Sequence, residues 1–252
     1  MPSDIFHNLT DKLIGQTFAD IENLKEDYEM AKIAAMHQSK AENAIAVLSN
    51  IHDASSFIVY GRLGKLLGLP TEKDKKDVPS IWEKELMKRI HEDDIVEKLA
   101  LELQFITFVK TLPDDCRQDY YLQHVLRMRD ANDKYVYVAH RIYYLSYDKS
   151  GNVLLALCLY TISTPKQHQV GIINSLTGEK VKETSTEISI LLSEREKDVL
   201  RMIGEGKASK EIADRLCIST HTVNCHRQNI LKKINASNSI EAYNVALKLG
   251  II

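Results

Sequence analysis

Between Ser219 and Gln228 the chain reads Ser-Thr-His-Thr-Val-Asn-Cys-His-Arg-Gln. In a helix, His221, Asn224, Cys225 and Gln228 recur at i, i+3, i+4 and i+7 and share one face. That face is polar, short-chained and amide-bearing, and Asn and Gln side chains pair bidentately with the adenine edge in a major groove. From Arg215 to Ile240 there is no acidic residue, while Arg215, Arg227, Lys232 and Lys233 are basic. Such a run meets phosphates without like-charge repulsion. The plainer reading is the solvated face that every helical hairpin presents. The amide spacing together with the acid-free run favours nucleic acid over it.

Other reactive residue types do not form recognisable sites. His91-Glu92-Asp93-Asp94 is consecutive rather than facial, which suits a helix start better than a metal. His124 and His140 are haem-ligand types, but a lone strand histidine is more often hydrogen-bonded or on the surface. Cys116, Cys158, Cys217 and Cys225 are too few and too scattered for a disulfide framework or a zinc knuckle. Gly61, Gly64 and Gly68 lack the Lys-Ser/Thr of a phosphate-binding loop. No metal, cofactor or catalytic arrangement is predicted, so the chain reads as a non-enzyme.

The polar face needs a scaffold, and the flanking residues supply one. Ser193 caps a helix with Glu196 reaching back in a capping box, Leu200 and Ile203 give it an apolar side, and Gly206 is a left-handed stop. The first helix is thus expected from Ser193 to Glu205. A second starts near Ser209 and presents Ile212, Ala213 and Leu216. After Cys217-Ile218-Ser219, Thr220 caps a third helix with a buried stripe of Val223, Ile230 and Ile234. So short a connection forces the second and third helices to pack as a crossed pair, with Ala213 allowing close approach. Asn238, with Glu241 three residues on, caps a fourth helix bearing Ala242, Val245, Ala246 and Leu249.

Leu192-Ser193-Glu194-Arg195-Glu196, Gly206, Glu211-Ile212-Ala213, Leu216, Ile218-Ser219, Thr222-Val223, His226, Ile230 and Lys233 together resemble the LuxR-type (GerE-type) DNA-binding domain. The resemblance covers about the last 60 residues. It implies a four-helix domain whose third helix enters the major groove and, in some members, dimers on paired half-sites. By position, Asn224, Cys225 and Gln228 fall where the family places base contacts. Ser219, Thr222, His226 and Lys232 fall where phosphate contacts or local packing are usual. Thr220, His221 and Arg227 complete the candidate DNA-binding set. Asn224 stands where a lysine is frequent and Ile234 where leucine usually follows the lysine. The first departure bears on the target sequence.

The rest of the chain differs in charge and in period. Residues 190–252 hold ten Lys/Arg against seven Asp/Glu, net +3, and the remainder 23 against 28, net −5. A basic tail on an acidic body fits a nucleic-acid reader joined to another module. Residues 17–50 lack Pro and Gly, and their composition favours a long helix. Ile21, Leu24, Tyr28, Ala31 and Ala35 form a short seam that either pairs two subunits or lies on its own domain. Ser56-Phe57-Ile58-Val59-Tyr60 reads as a strand before a Gly-rich connection, and Thr71 to Asp77 as a charged linker. Residues 81–112 read as helical, with Asp94 as a cap.

Three β-rich runs follow, Tyr121–Arg129, Lys134–Tyr147 and Asn152–Ser163, with turn residues at 130–133 and 148–151, an antiparallel meander. In the middle run Val136, Val138, His140, Ile142 and Tyr144 share one face, and the third run is apolar enough to be covered on both. Gly171 to Glu179 reads as a small hairpin, followed by polar linker.

A strand, a helical middle and a three-stranded end behind a long helix resemble a PAS domain over residues 53–164. The local echo is His91-Glu92-Asp93-Asp94, with Glu92 where proline is usual. The resemblance implies dimerisation and, in some members, a small ligand against the inner face of the sheet. A core filled by side chains is the equal alternative.

The fold class expected is α+β. A helical region at 1–52 precedes a PAS-like domain at 53–164, a linker with a hairpin at 165–189 and a helix-turn-helix domain at 190–252. The function expected is a cytoplasmic, homodimeric transcriptional regulator binding double-stranded promoter DNA, with RNA polymerase as a further partner and no membrane. A phosphoacceptor receiver would need alternating strands and helices, which the meander opposes. The alternative from another class is a metabolite-binding or enzymatic N-terminal module with an accessory DNA-binding domain.

Overall fold

The computed structural model describes residues 3–19, 21, 23–69, 75–164, 170–181, 192–234, 236, 238–248 and 251–252. Two compact units emerge. One comprises Asp11–Lys98 and Phe105–Val181, the other Met1–Thr10, Leu99–Gln104 and Lys182–Ile252.

The first unit is built on one antiparallel sheet. Its strands are β1 (Ile45–Asn50), β2 (Ser55–Val59), β3 (Lys75–Val78), β4 (Tyr120–Arg129), β5 (Tyr135–Tyr147), β6 (Val153–Ile162) and β7 (Gly171–Asn174). They lie in the order β3-β2-β1-β6-β5-β4-β7. Strand alternation separates two faces. On the inner face Ile45, Val47, Ile58, Tyr60, Leu126, Met128, Val138 and Tyr160 form one apolar cluster with Leu63, Leu67, Leu86, Met87 and Ile90. These last five come from α3 (Gly61–Leu66), α4 (Lys84–Met87) and the residues that follow each. On the outer face Ala46, Leu48, Phe57, Val59, Leu157 and Leu159 pack against Ala31 and Ala35 of α2 (Leu24–Glu42).

The seam of α2 therefore lies on its own sheet, with Ile21, Leu24 and Tyr28 packed beside the two alanines. Glu42 near the end of α2 pairs with Arg141 of β5. Helix α1 (Ser3–Ile14) precedes it, a helix that the sequence reading did not isolate.

The helix ends earlier than expected. Asn43 adopts φ 54° and ψ 27°, a left-handed cap, and residues 45–50 leave it as a strand buried along its whole length. The absence of Pro and Gly does not prolong a helix when an apolar, partly β-branched run has two sheet neighbours to join. The expected Gly-rich connection contains α3 instead. Gly61, at φ +53°, makes the turn into it, and a Cβ there would strike the Ala44 carbonyl. The charged linker is in part the edge strand β3, its exposed Lys75, Lys76 and Asp77 suiting an unpaired edge. Residues 71–74 of that linker lie outside the described residues.

Asp94 does not cap a helix. Helix α5 (Glu92–Lys110) starts two residues earlier, with His91 accepting from the Asp93 N–H. The Asp94 carboxylate instead accepts from the Arg127 backbone N–H at 2.7 Å and from its guanidinium at 2.6 Å.

The meander matches the expected runs to within a residue at each start. Asp130 and Asp148 tie their turns by accepting N–H groups two and four residues on. The buried side of β5 carries Val138, His140, Ile142 and Tyr144, and β6 is buried over nearly its whole length. The expected hairpin forms too. Ile173 bridges Lys180, and β7 pairs with β4 as the seventh strand. The polar linker at 182–187 lies outside the described residues. The α+β class holds, and the sheet reaches beyond residues 53–164 by taking in β1 and β7.

Candidate nucleic-acid interface

The second unit contains α6 (Glu194–Gly204), α7 (Ser209–Leu216), α8 (Thr220–Ile234) and α9 (Ser239–Lys248). Each start has a local cause. At α6 the Ser193 hydroxyl accepts from the Glu196 N–H, and the Glu196 carboxylate accepts from the Ser193 N–H at 2.7 Å, the full capping box. Glu196 is almost wholly buried and also receives Lys233 of α8 at 2.7 Å. Burial pushes its carboxyl up, but Lys233 and Ser193 outweigh this and hold it below the usual range.

Gly206 at φ +78° ends α6. The Glu211 carboxylate accepts from the Ala208 N–H at the start of α7. Cys217, at φ 53°, makes the left-handed turn out of α7. Ser219 rather than Thr220 then caps α8, because its hydroxyl accepts from the Thr222 N–H at 3.0 Å. Thr220 is the first helical residue. Asn238 caps α9 by accepting from the Ile240 and Glu241 N–H groups.

The expected stripe packs. Val223, Ile230 and Ile234 are buried with Ile212, Ala213, Val199, Leu200, Ala242 and Ala246 in one cluster, flanked by Ile203, Leu216 and Val245. Leu249 lies outside the described residues. The opposite face of α8 points to solvent: His221, Asn224, Cys225 and Gln228 are all exposed, and Cys225 Sγ lies 3.7 Å from His221 Nε2. Thr222 and His226 are half-buried on its flank, and the Ser219 and Thr222 hydroxyls meet at 2.8 Å.

The basic residues divide. Arg227 is half-buried, donating to the Ser239 hydroxyl at 3.2 Å and the Ser209 hydroxyl at 3.0 Å, so it ties α8 to α9 and α7. Lys233 belongs to Glu196, and Arg215 pairs with Glu205 at 3.2 Å. The side chain of Lys232 lies outside the described residues. Lys210 is exposed in the first turn of α7, a cation that the sequence reading passed over. The signal that finds it is its place in the first turn of the helix that precedes α8.

His124 and His140 do not reach the surface. His140 Nδ1 and His124 Nε2 lie 2.8 Å apart inside the sheet unit, and His140 stacks on Tyr160 at 4.2 Å. Both are held neutral, chiefly by burial. It brings His124 down to about 3 and His140 well below the usual value, with the His124 ring and Lys98 adding to the latter.

A pair of capped helices packed together across a short turn, with a solvated amide-bearing face on the second, defines a helix-turn-helix domain. Residues 190–246 match the family described as bacterial regulatory proteins, luxR family. The C-terminal domain of this chain belongs to that family.

Its relatives share this region. The transcriptional activator protein PhzR of Pseudomonas fluorescens is 42% identical over 79 residues, 29% of this chain and 32% of that one. The regulatory protein SdiA of Escherichia coli K12 is 50% identical over 60 residues, 24% of this chain and 25% of that one. The chain thus spans between a quarter and a third of the length of these relatives. Among solved structures, a Vibrio cholerae VqmA dimer without its target DNA superposes with a TM-score of 0.31 at 16% identity, covering 88% of each chain. Escherichia coli SdiA does so with a TM-score of 0.27 at 18% identity, covering 92% of this chain and 93% of that one.

Proposed function

We propose that this chain is a sequence-specific transcriptional regulator that binds double-stranded promoter DNA through α8 as a homodimer. The observation that carries the reading is the exposed face of His221, Asn224, Cys225 and Gln228 in a luxR-family domain, in a stretch free of acidic residues. In this reading Asn224, Cys225 and Gln228 meet base edges. Ser219, Thr220, Thr222, His226 and Lys232 meet the backbone or hold the turn, joined by Lys210. Arg227 sets the angle of α8 from behind through its two serine hydroxyls.

The PAS-like unit controls or dimerises the reader, and no catalysis is required. The matched relatives, a transcriptional activator and a regulatory protein among them, support this class. No helix among the described residues is long and apolar enough to cross a membrane. The cytoplasm is the proposed compartment, and RNA polymerase is the proposed partner at the promoter.

The test selects genomic fragments bound by the full chain at fixed salt and compares its affinity with that of a fragment spanning about residues 188–252. Tight, sequence-selective binding by the full chain supports the proposal. Equal affinity for selected and random DNA in both proteins refutes it. If only the fragment binds selectively, the N-terminal unit masks the reader; tighter binding by the full chain makes it a dimerising unit.

A further inference from the structure

Two side chains on the exposed face of α8 are placed to hold an ion. His221 and Cys225 stand four residues apart, about one turn along the helix, so both project over the same strip of surface. Cys225 Sγ lies 3.7 Å from His221 Nε2. A tetrahedral ion with bonds of about 2.3 Å to sulfur and about 2.1 Å to nitrogen sets those two ligand atoms about 3.6 Å apart. The pair is thus already spaced to close on one ion, with no movement of the backbone.

The surroundings favour that use. Among the described residues, the side chains of His221 and Cys225 have each other as their only hydrogen-bond partner. Both are exposed, so a tetrahedral ion held there keeps two positions open to water. The basic residues of this stretch are engaged with other elements: Arg227 with Ser209 and Ser239, Lys233 with Glu196, and Arg215 with Glu205. No carboxylate falls between Arg215 and Ile240, so the pair offers nitrogen and sulfur rather than oxygen. Imidazole with thiolate suits Zn²⁺ and its neighbours, whereas Mg²⁺ and Ca²⁺ take oxygen ligands.

We propose that His221 and Cys225 chelate a divalent transition-metal ion of the Zn²⁺ class, and that this ion and DNA base edges compete for the same face. The thiol binds as thiolate and releases its proton to solvent, and the neutral imidazole binds through Nε2. Asn224 and Gln228 share the face, so a hydrated ion beside them fills the space that a base edge needs. The competition rests on the reading of α8 as the base-contacting helix; the chelation does not.

Co²⁺, which accepts the same ligands, is the probe for chelation in the full-length protein, kept reduced without added thiol. Thiolate coordination adds a near-ultraviolet charge-transfer band. It is expected to saturate below about 200 μM, a range fitting half the ligand set of a structural zinc site. Cys225→Ser should remove the band and His221→Gln should weaken binding at least ten-fold, while Cys217→Ser should change neither. Both site residues are exposed, so their substitution spares the core. Zn²⁺ at saturation should lower the affinity of the unsubstituted chain for a selected DNA fragment at least ten-fold, and Mg²⁺ should not. In Cys225→Ser the ratio with and without Zn²⁺ should approach unity, whatever that variant's own affinity. The proposal is overturned if no saturable band appears, if either variant binds Co²⁺ as well as the unsubstituted chain, or if Zn²⁺ acts alike on DNA binding by that chain and by Cys225→Ser. A chain that shows the band yet selects no DNA even without metal ion supports the chelation and overturns the reading of α8.

Discussion

In the helical unit, the side chains that could do chemistry are solvated and fall within ten residues of one another, from Ser219 to Gln228. Its buried ionisable groups are spent on architecture, as with Glu196 between Ser193 and Lys233. In the sheet unit the order is reversed. His124, His140 and Glu83 are drawn inside, and they come from β4, β5 and the start of α4, more than 50 positions apart at the extremes. The helical unit thus keeps these polar side chains at its surface, where they cost little to display. The sheet unit holds its polar groups where protonation changes stability.

The largest expected effect tests that contrast directly. A histidine held neutral by burial stabilises the fold above its ordinary value near 6.5. The contribution is lost as pH falls, because the unfolded chain takes up protons that the folded one refuses. With His124 brought down to about 3 and His140 also well below normal, the sheet unit should lose on the order of 3 kcal/mol between pH 7 and pH 5. Denaturant unfolding followed by Trp82 emission reads this unit alone, and a Glu83→Gln background removes an opposing term. A flat profile would mean that the pair titrates as it does in water.

Glu83 is that opposing term. Its folded value near 8 lies above the ordinary 4.5, so its contribution is fully present below pH 4.5 and is lost as pH rises towards 8. Glu83→Gln should therefore stabilise the sheet unit more at pH 8 than at pH 5, by on the order of 2 kcal/mol. A gain independent of pH would place the carboxyl in solvent.

How far each unit could be read from sequence follows the same division. The capping box, the Gly206 stop and the Val223, Ile230 and Ile234 stripe are local patterns, and all of them form. The cap on α8 moved by one residue because two adjacent hydroxyls, Ser219 and Thr220, could each serve, and only the backbone decides. In the sheet unit the meander was legible from alternation and turn residues. Strand β1 was not, because Ala44 to Leu48 reads equally as helix or buried strand until the pairing partners β2 and β6 are known. The burial of Glu83 had no sequence signal, because nothing in its neighbours states that its carboxyl oxygen is drawn inside.

On the helical side the effects appear in binding rather than stability. Asn224→Ala and Gln228→Ala should each lose on the order of 1–3 kcal/mol of discrimination against the wrong base, with melting unchanged because both are exposed. Competition between selected and random DNA at one salt concentration measures it. Equal weakening on both would remove them from the base-reading set.

The smallest expected effect concerns how positive charge is held. Lys233 is neutralised by the carboxylate of Glu196. Lys210, by contrast, is exposed in the first turn of α7. A cation with no counter-charge releases condensed counterions when DNA binds, at about 0.9 in the log–log salt slope per phosphate neutralised, while a paired cation contributes far less. Lys210→Gln should therefore flatten the slope by up to about that amount on every sequence. Lys233→Gln should leave the slope alone and instead destabilise the domain, since it strands the carboxylate of a buried capping box. The reverse assignment, a changed slope for Lys233→Gln and none for Lys210→Gln, would mean that the internal ion pair opens on DNA and that Lys210 lies away from the phosphates.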